Sequence, residues 1–134
     1  MTPAYLLDTS IVSLALRGRA PKAVSKLSQL DRSDVAISIV TEMELCYGLA
    51  KKPSARTRRA VDGFLEVFPV APLPDTIAST YGTVRAQLER KGLSIGALDT
   101  IIAAHARAID AILVTDNTRE FRRVSGLACQ NWAK

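Results

Sequence analysis

The chain has 134 residues, 48% of them hydrophobic and 23% charged. That is enough apolar material for one core and too little length for two, since domains cluster near ~100 to 150 residues. No apolar run approaches the ~20 residues of a membrane span, and the start, Met1-Thr2-Pro3-Ala4-Tyr5-Leu6-Leu7-Asp8, lacks the basic region and the apolar length of a signal peptide. A single domain over residues 1–134, cytoplasmic and away from membranes, is the expectation.

From Ala4 to Leu7 the chain is apolar, then Asp8-Thr9-Ser10 follows, which suits a strand buried on both faces that ends at a helix cap. Ile11, Val12, Leu14, Ala15 and Leu16 carry the first helix as far as Gly18. Pro21 opens a second, with Ala23, Val24, Leu27 and Leu30 at helical spacing. Val35 to Ile39 is rich in β-branched residues and reads as a strand, feeding a helix from Thr41 to Lys51. Pro53-Ser54 breaks the pattern before a helix over Ala55 to Val67, and Val70-Ala71, between Pro69 and Pro72, leaves room only for a brief strand. A helical period resumes at Pro74 and ends at Lys91-Gly92. Ala97 to Ile109 is apolar almost all round, as a covered helix should be. Ala111 to Thr115 is a further strand, Asp116-Asn117-Thr118 a turn or cap, and Ala128-Cys129-Gln130 a short edge strand. Strands separated by helices imply parallel pairing, hence an α/β fold, a three-layer α/β/α sandwich with a small, mostly parallel sheet. Ligands of such sheets bind beyond the carboxyl ends of the strands, where Asp8 and Asp116 fall.

The acids carry most of the chemical information, and each has a structural explanation beside the functional one. Asp8 follows a buried strand directly, but Asp8, Thr9 or Ser10 also serves as a cap. Glu44 stands three residues after Thr41, the spacing of a capping box. Glu42 lies ~200° around a helix from Glu44, so the two cannot serve one site. Asp99 sits in Gly96-Ala97-Leu98-Asp99-Thr100-Ile101-Ile102-Ala103-Ala104, where a carboxylate among residues that want burial costs free energy unless something pairs with it. A first-turn acid favoured by the helix dipole is the alternative. Asp116, Asn117 and Thr118 can equally form an Asx-turn before Arg119-Glu120-Phe121.

Together the acids argue more strongly, because Asp8, Asp99 and Asp116 come from separate segments that the topology brings to one edge. Clustered carboxylates raise one another's proton affinity, so a hard cation is what makes such a group tolerable. Oxygen donors without clustered His or Cys point to Mg²⁺ or Mn²⁺ rather than zinc. Cys46 and Cys129, with no CxxC, suit neither a zinc site nor a disulfide framework. His105 lies ~240° around the same helix from Asp99 and reads as a core residue.

Eighteen Lys and Arg against 13 Asp and Glu leave a net charge of +5, which favours a polyanionic partner. The run from Lys51 to Arg59 holds Lys51, Lys52, Arg56, Arg58 and Arg59 without an acid. It is either a solvated helix junction or a hold on an RNA backbone.

Four stretches resemble the PIN-domain family, in particular the VapC-type toxins of bacterial toxin-antitoxin operons. They are Leu6-Leu7-Asp8-Thr9-Ser10, Ser38 to Gly48, Ile95 to Ala106, and Leu113 to Phe121, in order and in register over nearly the whole length. The resemblance implies an Mg²⁺- or Mn²⁺-dependent endoribonuclease acting on RNA, in several relatives tRNA, that works as a homodimer and is bound by a cognate antitoxin protein. It implies Asp8, Glu44, Asp99 and Asp116 as the catalytic acids, choosing Glu44 over Glu42, with Asp8 and Asp99 as direct metal ligands and either Asp116 or Asn117 as the fourth. Thr9, Thr115 and Asn117 would support them. One departure stands out: many relatives carry an aspartate where this chain has Asn117, and here the acid comes one residue earlier, at Asp116. A non-catalytic RNA-binding or regulatory module on the same fold is the competing reading. A phosphatase with an aspartyl nucleophile is opposed by Ser10, which stands where the second acid of Asp-x-Asp belongs.

Overall fold

A computed structural model describes residues 2–134. Strands β1 (Tyr5–Leu7), β2 (Val35–Ser38), β3 (Val70–Ala71), β4 (Ile112–Val114) and β5 (Cys129–Gln130) form one sheet in the order β3-β2-β1-β4-β5, every pairing parallel. The strands are short apolar runs because both faces of the sheet are covered. Successive side chains enter opposite layers. Leu7, Val35, Ile37 and Val114 pack with Ile11, Ala23, Leu27 and Val61, whereas Leu6, Ala36 and Leu113 pack with Val84, Leu88, Ile102 and Phe121.

The first layer is built by α1 (Thr9–Leu16), α2 (Pro21–Gln29) and α4 (Ala55–Val67). The second is built by α5 (Ile77–Arg90), α6 (Ala97–Ala108) and α7 (Thr118–Phe121). Helix α3 (Ile39–Lys51) gives Val40 to one layer and Leu45 and Leu49 to the other. The result is the expected α/β/α sandwich. Trp132, beyond β5, closes the first layer: its ring meets Tyr5 edge-on at 5.0 Å between centroids, and Lys26 Nζ stands 5.0 Å over it.

Several boundaries differ from the sequence expectation, two of them at helix starts. Ile39 was expected to end the second strand, yet it opens α3, because the Ser38 hydroxyl accepts from Val40 N at 3.1 Å and caps the helix there. Thr41 therefore lies inside the helix and Thr41/Glu44 is not a capping box. The helix expected from Pro74 begins at Ile77.

The strand order fixes the site. The chain steps outward from β1 to β2 to β3, then returns to place β4 on the other side of β1. The reversal between β1 and β4 is the switch point at which open α/β sheets bind ligands. Asp8 N donates to Val114 O at 3.0 Å, carrying the β1/β4 pairing up to the edge where Asp8 and Thr115 emerge.

Candidate active site at the carboxyl edge of the sheet

Asp8 is 3% exposed and acts both as a cap and as the centre of a polar cluster. Its Oδ1 accepts from Ile11 N at 3.0 Å, which starts α1, and Ser10 Oγ donates to the carboxylate at 2.8 Å. Thr115 Oγ1 donates to Oδ2 at 2.5 Å. Each hydroxyl has one proton, and both protons are committed to Asp8. The 3.3 Å contact between Ser10 Oγ and Thr115 Oγ1 is therefore close packing rather than a third bond. Thr115 Oγ1 also accepts from Asn117 N, and Ser10 Oγ from Asp116 N, so the loop after β4 is tied to the one after β1. Burial pushes the Asp8 carboxyl above its ordinary value, and Glu44 adds to the rise. The donors Thr115, Ile11 N and Ser10 offset part of it.

Glu44 is placed by α3 and held by Thr9, whose Oγ1 donates to Oε1 at 2.6 Å. Thr41 Oγ1, buried one turn earlier, bonds to Leu7 O and so anchors α3 against the end of β1. A second tie fixes the start of the same helix to the helix of Asp99. His105, 0% exposed on α6, sets Nδ1 2.9 Å from the Ser38 hydroxyl that caps α3. Burial keeps this imidazole below its ordinary proton affinity, hence neutral. Its Nε2 has no partner among the described residues.

Asp99 projects from the first turn of α6 and is half-buried. Its carboxyl is raised to about 6, first by burial and then by the charges of Asp8, Glu44 and Glu120. Those charges are all negative. The only ion pair among the described residues joins Arg85 to Glu89 on α5. Four carboxylates from four segments thus share one edge with none of them in an ion pair among the described residues, and every donor they offer is an oxygen, as a hard divalent cation prefers. Like charges repel, and among the described residues no three His, Cys, Asp or Glu side chains already stand close enough to enclose an ion.

The sequence pattern does not single out Glu120, and it offers Ser10 as a cap and as the residue that breaks Asp-x-Asp, not as a partner of Asp8. Glu120 stands one turn after Asn117, whose Nδ2 donates to Oε2 at 3.0 Å. The signal lay in Asn117-Thr118-Arg119-Glu120, where helical spacing sets amide and carboxylate side by side. Asp116 goes elsewhere: it is exposed, its Oδ1 accepts from Asn131 Nδ2 at 3.3 Å, and it is not among the charges acting on Asp8 or Asp99. Asn117 caps α7 without the side-chain bond of an Asx-turn.

The basic run divides as well. Lys52 and Arg56 line a groove of about 800 Å³ that also takes in Thr9, Arg17, Glu44 and Gly48. Lys51 leans toward the Tyr47 ring at 5.9 Å, and neither it nor Arg58 or Arg59 borders the groove.

A model of the PIN domain matches residues 5–127. The chain is 38% identical over 130 residues to a tRNA(fMet)-specific endonuclease VapC of Shigella flexneri, spanning 96% of this chain and 98% of the relative. It is 36% identical over 132 residues to a ribonuclease VapC2 of Rickettsia felis, spanning 97% and 98%. Among solved structures, that of VapBC2 from Rickettsia felis bound to a promoter DNA fragment matches with a TM-score of 0.88 at 35% identity, over 96% of this chain and 98% of that one. VapBC-1 from nontypeable Haemophilus influenzae matches at 0.87 and 31%, over 97% and 98%. With the fold, the acid edge and these likenesses over nearly its whole length, the chain belongs to the PIN-domain family, within its VapC-type ribonucleases.

Proposed function

We propose that this protein is the toxin of a type II toxin-antitoxin pair, an endoribonuclease that hydrolyses RNA with Mg²⁺ or Mn²⁺ and is restrained by a cognate antitoxin. The convergence of Asp8, Glu44, Asp99 and Glu120 at the switch point, none of them in an ion pair among the described residues, carries the reading. The relative named for tRNA(fMet) makes tRNA the first substrate to try, and the VapBC complexes make an antitoxin the first partner.

Asp8 and Asp99 would hold the ion. When bound, it supplies a water of lowered pKa and neutralises charge that develops on the phosphodiester oxygens. The chain's own part is orientation. Thr115, Ser10 and Ile11 N fix both Asp8 oxygens, so this carboxylate points one way before any ligand arrives. Glu44, held by Thr9, and Glu120, held by Asn117, are the acids left to position the attacking water and accept its proton. Asp116 lies outside this group, and the non-catalytic alternative leaves four converging acids unexplained.

The test is cleavage of a tRNA pool by purified protein. Cleavage should require Mg²⁺ or Mn²⁺, stop in excess EDTA, and be absent from Asp99→Asn protein that still folds. Undiminished cleavage in EDTA would overturn the metal mechanism. Cleavage retained by Asp99→Asn would overturn the site.

A further inference from the structure

The groove beside Glu44 has a composition that the chemistry at the acid edge does not require. Glu44 and Gly48 lie four residues apart on one face of α3, and Lys52, which caps the carboxyl end of the helix, follows four residues further, so the groove runs along about two turns, roughly 12 Å from Glu44 to Lys52. Arg17, just past α1, and Arg56, in the first turn of α4, face the same space. None of these three cations takes part in an ion pair among the described residues. Halfway along, Gly48 leaves the floor bare: nothing lies within 4 Å of where a Cβ would stand. The groove is thus acidic at the catalytic end and basic beyond it, a pattern suited to a ligand with negative charges repeated at intervals.

We propose that Arg17, Lys52 and Arg56 form the subsite for the RNA backbone flanking the scissile phosphate. This rests on the ribonuclease reading above and deepens it. Twelve ångströms is about three to four stacked nucleotides at ~3.4 Å each, so the cations meet phosphates a few positions from the bond that is cut. Phosphate contacts of this kind hold register without reading sequence. The same placement divides the basic run: Lys52 and Arg56 serve the strand, while Arg58 and Arg59, at positions of α4 that do not border the groove, do not.

Two double variants that remove equal charge test the proposal. Lys52→Ala/Arg56→Ala and Arg58→Ala/Arg59→Ala would each be built on Asp99→Asn protein, and binding of a labelled single-stranded RNA measured from about 50 to 200 mM salt. If the subsite is real, the groove pair lowers the salt slope by about 1.4, the counterion release of two single-strand phosphate contacts. It also raises Kd at least tenfold, and the outer pair changes neither appreciably. In otherwise wild-type protein the groove pair raises KM and leaves kcat within twofold. Equal losses from both pairs would reduce the effect to net charge and overturn the proposal. So would a groove pair that binds RNA normally and loses only affinity for a protein partner. Failure of the ribonuclease reading looks different, because the parent protein would then not cleave RNA at all.

Discussion

Asp99→Asn should make the metal-free protein more stable while abolishing its activity. A carboxyl lifted from 3.8 to about 6 means that the folded state resists ionising it. At ~1.36 kcal/mol per pH unit this sets a ceiling near 3 kcal/mol, and screening at a half-buried position reduces it to roughly half. Loss of the charge from the first turn of α6 returns ~0.3 to 1 kcal/mol, leaving a net gain of about 1 kcal/mol for the variant. For a chain of this length that is a rise in Tm of about 3 °C. The sign depends on pH. Below 3.8 the carboxyl is protonated folded and unfolded and the penalty is absent, whereas above about 6 it is ionised in both and the penalty is complete. The wild-type protein therefore loses this increment as pH rises through about 6. Thermal unfolding by circular dichroism, in EDTA at pH 8 and pH 3, should give a stabilised variant at the first pH and equal Tm values at the second. His105 is depressed in both proteins and cancels in the difference. A variant no more stable than wild type at pH 8, or equally stabilised at pH 3, would refute the picture of mutually repelling acids.

Glu120→Gln should lower cleavage at least about a hundredfold, the lower end for a group that handles a proton, whereas Asp116→Asn should stay within about threefold; reversal of that order in initial rates would return the fourth role to Asp116. Thr115→Val removes the donor on Asp8 Oδ2 and leaves Asn117 N without its acceptor, so the acid limb of the pH–rate profile should move upward and stability fall by about 1 to 3 kcal/mol. An unmoved limb would mean that Thr115 does not tune Asp8. Trp132→Ala empties a buried site against Tyr5 and should cost about 3 to 5 kcal/mol, read from the urea midpoint; a shift worth less than 1 kcal/mol would show that the carboxyl-terminal segment adds little to the core.

Local chemistry determined much of this protein. Buried parallel strands must be continuous apolar runs, so Tyr5–Leu7, Val35–Ser38 and Ile112–Val114 are visible as stretches that no solvated loop would carry. Alternation of those strands with helices leaves few topologies, and Asp8 falls at a strand end whichever is chosen. Periodicity separates Glu42 from Glu44 by rotation but not by absolute phase; the phase comes from Thr41 bonding to Leu7 O and Thr9 to Glu44, contacts across more than thirty residues. The same holds after β4, where Asp116 and Glu120 are equally acidic in sequence. Asn131, from beyond β5, engages Asp116 on an exposed surface, and α7 sets Glu120 within reach of Asp99's field. Arg17 joins Lys52 and Arg56 only because α1, α3 and α4 border one groove. Residue type and spacing decide which groups can do chemistry, while which of them meet depends on packing between segments distant along the chain.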